Sequence, residues 1–151
     1  MSGKRYSVAQ FSDALKKLES HVRKQVIAKA AMAGGLTIEA YAKINVTKTF
    51  TARTGNLLNS ISTTLEKSDD TSAKVSVGPT VIYGRIHELG GVIKPVTAKM
   101  LHWVDEGGQH HQASSVTIPA RPYLRPAIDE NSDKILQAVA ENLRIEIESQ
   151  I

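Results

Sequence analysis

A stripe of apolar residues at spacings of three and four runs along the N-terminal third of the chain. Its first members are Val8, Phe11, Leu15, Leu18, Val22 and Val26. This spacing is typical of one face of an amphipathic helix. It continues past Gly34-Gly35 to Ile44, so the pattern predicts one long N-terminal helix. Because each glycine costs a helix about 1 kcal/mol relative to alanine, the pair predicts a kink or a close approach by another chain.

Apolar and polar residues alternate in two later segments, residues 61–65 and 73–77, and the turn-forming sequence "KSDDTS" separates them. This pattern predicts a β-hairpin that ends at Gly78-Pro79. The preceding sequence "TFTARTGNLLNS" predicts a loop and a short helical turn, with Thr54 as its N-cap.

The sequence "TVIYGRIHELGG" predicts a short helix that stops at Gly90. Three short strands are predicted at "VIKP", "MLHWV" and "VTI", and the polar sequence "DEGGQHHQASS" between the last two predicts a mobile hairpin tip. A C-terminal helix is predicted from the apolar stripe Ile128, Ile135, Val139, Leu143 and Ile147, with Pro126 in its first turn. The elements together predict an α+β fold, in which long N-terminal and C-terminal helices pack on a small antiparallel sheet, as a single domain over residues 1–151.

Composition narrows the class of protein. The chain has 151 residues, no cysteine and no apolar run long enough for a membrane span. No signal peptide is expected at its start, so we expect synthesis in the cytoplasm. Residues 1–30 hold seven lysines or arginines and two acidic residues, whereas residues 128–151 hold two basic and six acidic ones. This split predicts either head-to-tail pairing of subunits or two solvated helix faces of opposite sign.

Candidate catalytic and metal-binding residues are few. His102, His110 and His111 lie near Asp105 and Glu106 in sequence, which leaves a metal-dependent enzyme as one hypothesis. Adjacent histidines in a glycine-rich loop are poorly placed to share one ion, and an exposed polar loop accounts for them better than a metal site does. The pair His87-Glu88 lacks the second histidine of a zinc-protease helix. We therefore predict a protein that is not an enzyme and that needs no cofactor or metal.

Nucleic-acid binding is the second hypothesis. The basic face of the N-terminal helix, with Lys16, Lys17, Arg23 and Lys24, could contact phosphates without reading sequence. Aromatic residues make up only 5% of the chain, which is few for base stacking. The alternative function is thus a nonspecific DNA-binding protein that uses this helix.

Three sequences in order, "TGNLLNSI", "VGPTVIYGRIHELGG" and "IPARPYLRPAID", carry a family resemblance. This arrangement resembles the tail-component family of long-tailed bacteriophages, whose members act in tail completion and head–tail joining. It is also similar to the virion-morphogenesis proteins of Mu-like phages. Gly84 and Tyr123 depart mildly from the family pattern, where alanine and phenylalanine are frequent.

The resemblance implies a structural virion protein that forms a ring, often of about six copies, at the neck or the head-proximal tail end. Such a neck, connector or tail-terminator protein is made in the host cytoplasm. Its partners would be copies of itself, neighbouring neck, connector or tail-tube proteins, and possible nonspecific contacts with DNA in the channel, with no membrane partner. The candidate assembly interface consists of Tyr83, His87, Glu88, Arg121, Pro122, Tyr123, Leu124, Arg125 and Pro126.

The residues themselves give a physical reason for this interface. Arg121 and Arg125 each precede a proline, which restricts the backbone before any partner binds. Guanidinium groups make bidentate pairs with carboxylates, and Glu88 or the acidic C-terminal helix could supply these. Tyr123 and Leu124 would be apolar anchors. The alternative is a rigid connection that only orients the last helix within its own subunit.

Overall fold

A computed structural model of the chain describes residues 7–51, 55–105 and 107–150. The chain forms two compact units. We call Met1–Thr80 together with Tyr123–Ile151 the helical core unit, and Val81–Pro122 the inserted unit. The predicted α+β class is confirmed, and the single-domain organisation stays a prediction. None of the helices in the described ranges is long and apolar enough to cross a membrane.

The elements are numbered in chain order. The helices are α1 (Val8–Lys17), α2 (Ser20–Thr49), α3 (Asn56–Ser60), α4 (Gly84–Leu89), α5 (Leu124–Asp129) and α6 (Ser132–Glu148). The strands are β1 (Ile61–Ser68), β2 (Ala73–Pro79), β3 (Gly91–Ile93), β4 (Leu101–Val104), β5 (His110–Ala113) and β6 (Val116–Ile118).

The N-terminal apolar stripe forms two helices, not the one helix that was predicted. At the start of α1, the Ser7 side chain accepts a hydrogen bond from the Gln10 N–H, and the Gln10 side chain accepts one from the Ser7 N–H. Such a capping box satisfies backbone donors that would otherwise have no partner. Leu18 and Glu19 then adopt extended backbone angles. These two residues interrupt the helical hydrogen bonds, so α2 begins anew at Ser20.

The two glycines lie inside α2, where the helix is continuous. A β-carbon on Gly35 would lie 2.5 Å from Thr63 Cγ2 and 2.7 Å from Val75 Cγ1, and one on Gly34 would lie 2.8 Å from Val139 Cγ2. The close approach therefore comes from the hairpin and α6 of the same chain, whereas another chain was predicted. The kink, the other alternative, stays a prediction.

The predicted hairpin is confirmed. Strands β1 and β2 are antiparallel, from Ile61 opposite Pro79 to Ser68 opposite Ala73, with a bulge between Leu65 and Lys67. The short helix α3 before it is capped by Gly55, with φ of 70°, and Thr54, the predicted cap, lies outside the described residues.

The turn of this hairpin is fixed by Asp69. Its carboxylate accepts hydrogen bonds from the N–H groups and hydroxyls of Thr71 and Ser72. These bonds, those from Thr71 first, hold the pKa of Asp69 well below its ordinary value.

Helix α2 is the centre of the helical core unit, with the β1–β2 hairpin, α5 and α6 packed around it. The largest buried cluster contains Ala42, Val46, Ile61, Tyr123 and Ala127. Tyr123 is 0% exposed, and its ring meets Phe50 edge to face at a centroid distance of 6.3 Å. The side-chain amide of Asn45 donates to the Tyr123 carbonyl at 3.1 Å. The start of α5 is therefore fixed to α2 by burial and by a hydrogen bond.

The C-terminal apolar stripe also forms two helices where one was predicted. Helix α5 ends at Asp129, and α6 begins at Ser132. Pro126 is the third residue of α5, so it lies in the first turn, as predicted, where a missing N–H leaves no hydrogen bond unmade.

Within the inserted unit, strand pairing differs from the prediction. The predicted mobile loop "DEGGQHHQASS" contains a strand, β5, which pairs with β4. Strand β6 pairs with β3 instead, from Gly91 opposite Ile118 to Ile93 opposite Val116. Because the hairpin turn lies between β4 and β5, the polar tip is much shorter than predicted.

Candidate assembly surface

Four of the predicted interface residues lie in the inserted unit around α4 and the chain that follows β6. The Arg121 N–H donates to the His87 carbonyl at 2.8 Å. The rings of Tyr83 and His87 meet edge to face, with centroids 5.9 Å apart. Glu88 follows directly and is half-buried. The structure thus brings Arg121 to His87, and so to the group of Tyr83, His87 and Glu88, from which it is more than thirty positions away in the sequence.

This arrangement depends on Gly90. The residue ends α4 with φ of 70°, and a β-carbon there would lie 2.8 Å from the Ala120 nitrogen. Only glycine adopts this backbone angle without cost and leaves room for the backbone of residue 120. The end of α4 therefore packs directly against the residue before Arg121. This contact positions the start of residues 121–126, which we call the arginine segment.

The other predicted residues begin α5 in the helical core unit, apart from Pro122, which is exposed and ends the inserted unit. Arg125 is exposed, Pro126 is half-buried, and Leu124 packs against the core cluster. Tyr123 is corrected to a core residue. Because its side chain is completely buried, it is not available as an apolar anchor for a partner.

The sequence did not indicate how much apolar surface the inserted unit exposes. Ile82 is 98% exposed, Val96 is 97% exposed and Leu89 is 63% exposed. Among the described residues of this unit, Gly84 is the one that is buried. The exposed apolar side chains are Ile82, Tyr83, Leu89, Val92, Ile93, Val96, Met100, Trp103 and Val104. The available signal was weak, because these residues follow no sustained helical or strand period.

A second apolar surface is a groove in the helical core unit between α1, α2 and α6. Its volume is about 760 Å³. Its apolar lining is Val8, Phe11, Leu15, Ile27, Leu136, Val139, Ala140 and Leu143. At its rim the Arg23 guanidinium contacts the Asp70 carboxylate at 3.0 Å, which ties α2 to the hairpin turn. Helix α1 has no buried residue, so this groove stays open along its length.

The charge split of the sequence is partly neutralised within the chain. Lys29 of α2 pairs with Glu146 of α6 at 2.7 Å. On α6, Arg144 pairs with both Glu141 and Glu148. The Arg144 hydrogen bond lowers the pKa of Glu141, and Glu141 in turn raises the pKa of Arg144. The basic and acidic helices therefore meet in one subunit, which reduces the charge that a neighbour could pair with.

The predicted histidine cluster lies on the β4–β5 hairpin, where His111 pairs with Trp103 across the strands. His111 Nε2 lies 2.8 Å from Asp105 Oδ2, and the Trp103 ring stacks on His111 with centroids 5.3 Å apart. The Asp105 carboxylate also accepts the N–H groups of Gly107 and Gln109 at 2.9 Å. His111 first, and then these backbone groups, hold the pKa of Asp105 below its ordinary value.

The two adjacent histidines of this hairpin lie on opposite faces of its second strand. His110 and His111 are neighbours on one strand, so their side chains point to opposite faces. Over the described ranges no group of three histidine or acidic side chains could hold a metal ion. Glu106 lies outside those ranges.

The sequence model of the phage virion morphogenesis family matches residues 30–145, which run from the middle of α2 almost to the end of α6. The chain belongs to the phage virion morphogenesis family. No curated protein and no solved structure matches it. The predicted family is confirmed, and membership indicates a structural virion component that interacts with other phage virion proteins. Helix α1 precedes the matched residues.

Proposed function

We propose that this virion morphogenesis protein forms a homo-oligomeric ring at the phage neck or at the head-proximal end of the tail, where it joins or completes head and tail. The observation that carries the proposal is the exposed apolar surface of the inserted unit. Large contiguous apolar patches on a soluble protein mark interaction sites. A unit of this size with so little buried surface gains stability by association.

The geometry of a ring requires two different surfaces on each subunit. A head-to-tail contact joins one surface to another surface of the next copy, and it closes when the rotation per subunit divides a full turn. The inserted unit and the α1–α2–α6 groove offer two such surfaces. They lie in different units of the chain and involve different residues.

The arginine segment supplies the polar part of this interface. Arg121 and Arg125 are both exposed, and the prolines that follow them restrict their backbones. Their guanidinium groups would pair with carboxylates of a neighbouring subunit or of the next ring. Pro122 is also exposed beside them. Because less backbone freedom is lost on association, the segment is preorganised for such a contact.

The test is deletion of the gene from its phage or prophage, followed by electron microscopy of the induced lysate. We expect DNA-filled heads that are separate from tails, or tails of abnormal length, and restoration by the wild-type gene. Complete infectious particles from the deletion would contradict the proposal. A complementing gene with Arg121→Ala and Arg125→Ala should restore far fewer particles than one with Lys48→Ala and Lys67→Ala, a matched pair of exposed cations elsewhere on the chain.

The alternative function, nonspecific DNA binding, draws on Lys16, Lys17 and Lys24, which are exposed on α1 and α2. Arg23 and Lys29 are already paired with carboxylates of the same chain, which reduces the charge available for phosphates. Retention of duplex DNA by the isolated protein, weakening steeply with salt, together with complete particles from the deletion, would favour this alternative.

A further inference from the structure

We propose that α4 of one copy docks into the α1–α2–α6 groove of the next copy, so that this contact is the repeating joint of the ring. The inference rests on the proposed ring and adds the residues that form it. It commits the groove to a second copy of the chain. Its two sides are the apolar surface at α4, formed by Ile86 and Leu89 of the helix and by Ile82 just before it, and the groove between α1, α2 and α6.

The apolar surfaces match in character. Ile82, Ile86 and Leu89, with Arg85 and Gly90, surround a shallow hollow of about 300 Å³ on the inserted unit. Ile82 is 98% exposed and Leu89 is 63% exposed, so both side chains project into solvent, and apolar side chains presented by a helical segment commonly bind in an apolar groove. The groove on the helical core unit has about 760 Å³, which is room for several aliphatic side chains. Leu136 projects at its edge and is 67% exposed.

The charges beside these surfaces are also complementary. Arg85 is exposed on α4 among the apolar residues of the projecting face. Asp133 is exposed on α6, three residues before Leu136. Residues three apart lie on the same face of a helix, so Asp133 flanks the groove at the same edge as Leu136. An Arg85–Asp133 pair across the joint would set the register of the contact.

A second copy is favoured over an unrelated protein because one chain carries both sides of the match. The two sides differ from each other, so their contact is heterologous and joins each copy to the next rather than closing a dimer. In the ring, Ile82 and Leu89, which are exposed in the single chain, would be buried against apolar residues of the neighbouring copy. No component beyond the chain itself is needed for the joint.

Cross-linking in particles tests the contact directly, since the natural chain has no cysteine. Two differently tagged genes, one with Ile82→Cys and one with Leu136→Cys, would be expressed together in the deletion phage, and purified particles treated with a short bifunctional maleimide. We expect a cross-linked product that carries both tags. The control pair is Ile82→Cys with Leu65→Cys, because Leu65 is exposed on β1. The yield of the test pair should be about tenfold higher than that of the control pair, a ratio that corresponds to 1.4 kcal/mol.

A product that joins two Ile82→Cys chains as the main species would overturn the proposal, since it indicates a symmetric contact. Particles that contain both proteins and give no mixed product would overturn it as well, and would leave the proposed ring intact. The proposed function would fail separately, by complete particles in the absence of the gene. The two failures are therefore distinguishable.

A charge exchange provides an independent test. Arg85→Asp and Asp133→Arg should each lower the yield of infectious particles by about fivefold, which corresponds to about 1 kcal/mol for an exposed ion pair. The double variant should restore the yield to within about twofold of the wild type, because it rebuilds the pair in reverse. Circular dichroism would confirm that each variant folds. If the double variant yields no more infectious particles than the lower-yielding single variant, the assignment of this pair is overturned.

Discussion

The helical core unit and the inserted unit differ in how many of their side chains are buried. In the first, Tyr123, Ile61 and Val26 are almost completely buried, and α2 is packed against strands and helices on several sides. In the second, Gly84 is the one described residue that is buried, and the strands are three or four residues long. The first unit is stabilised by its own core, whereas the second holds its shape by backbone pairing and presents its apolar residues outward.

The contrast separates residues that maintain the fold from residues that are available for assembly. It also predicts how substitutions divide. Changes in the core should lower the free energy of unfolding, and changes on the inserted unit should leave that quantity almost unaltered. The predictions below test this division, beginning with the largest expected effect.

Tyr123→Ala should reduce the free energy of unfolding by about 3–5 kcal/mol, the usual cost of removing a large buried aromatic side chain. The loss includes the edge-to-face contact with Phe50. Urea denaturation followed by circular dichroism measures it. Ile82→Ala, on the inserted unit, is the control and should change the same quantity by less than about 0.5 kcal/mol. Equal destabilisation by the two substitutions would contradict the division between the units.

Gly35→Ala should destabilise the protein by about 1–2 kcal/mol. The added methyl group would meet Thr63 and Val75 at less than 3 Å, and the cost of overpacking exceeds the gain in helix propensity. Gly78→Ala is the matched control, because a β-carbon at Gly78 meets nothing within 4 Å. A stabilised Gly35→Ala variant would show that the hairpin can move away from α2.

Gly90→Ala should act locally, through a positive φ that costs a residue with a side chain about 1–2 kcal/mol. We expect faster hydrogen exchange in β3 and β6, with exchange in α2 unchanged. Gly91→Ala is the control, since its β-carbon would lie at ordinary contact distance, 3.4 Å, from Ile86. Faster exchange throughout the core would indicate that the two units unfold together.

Acidification should open the β4–β5 hairpin at its tip. Because the pKa of Asp105 is lowered in the folded chain, its contribution to hairpin stability is complete above the ordinary value of 3.8 and is lost as the pH falls through the lowered value. Trp103, the one tryptophan of the chain, stacks on His111 and reports the change by fluorescence. Asp105→Asn should remove this pH step, and a step that persists in the variant must come from another group.

Periodic patterns predicted the elements well wherever regularly spaced apolar residues are buried. The stripe from Val22 to Ile44 and the alternation in residues 61–65 predicted α2 and β1, because burial of every third or fourth residue of a helix, or of every second residue of a strand, imposes the period. The helix breaks at Leu18 and at Glu130 were not predictable in this way. An apolar stripe can pass over a change in backbone direction without losing its spacing.

The candidate surface was predicted less completely, and for a different reason. Sequence motifs placed Arg121, Tyr123 and Arg125 in one group, yet alternate residues of a short segment can face the core and the solvent. Tyr123 is therefore buried between two exposed arginines. The contact of Arg121 with His87 joins residues far apart in sequence, and only the folded chain could show it.

The insertion of one unit into the other has a consequence for how this protein can evolve. The chain leaves the helical core unit after Thr80, whose N–H donates to the Ser60 carbonyl at 3.0 Å, and returns at Tyr123, whose carbonyl accepts from Asn45. Both junctions are thus fastened to core elements. Because each junction is held by its own hydrogen bond within the helical core unit, we expect changes of sequence or length in residues 81–122 to leave the buried residues of that unit in place, so that the two units can vary separately.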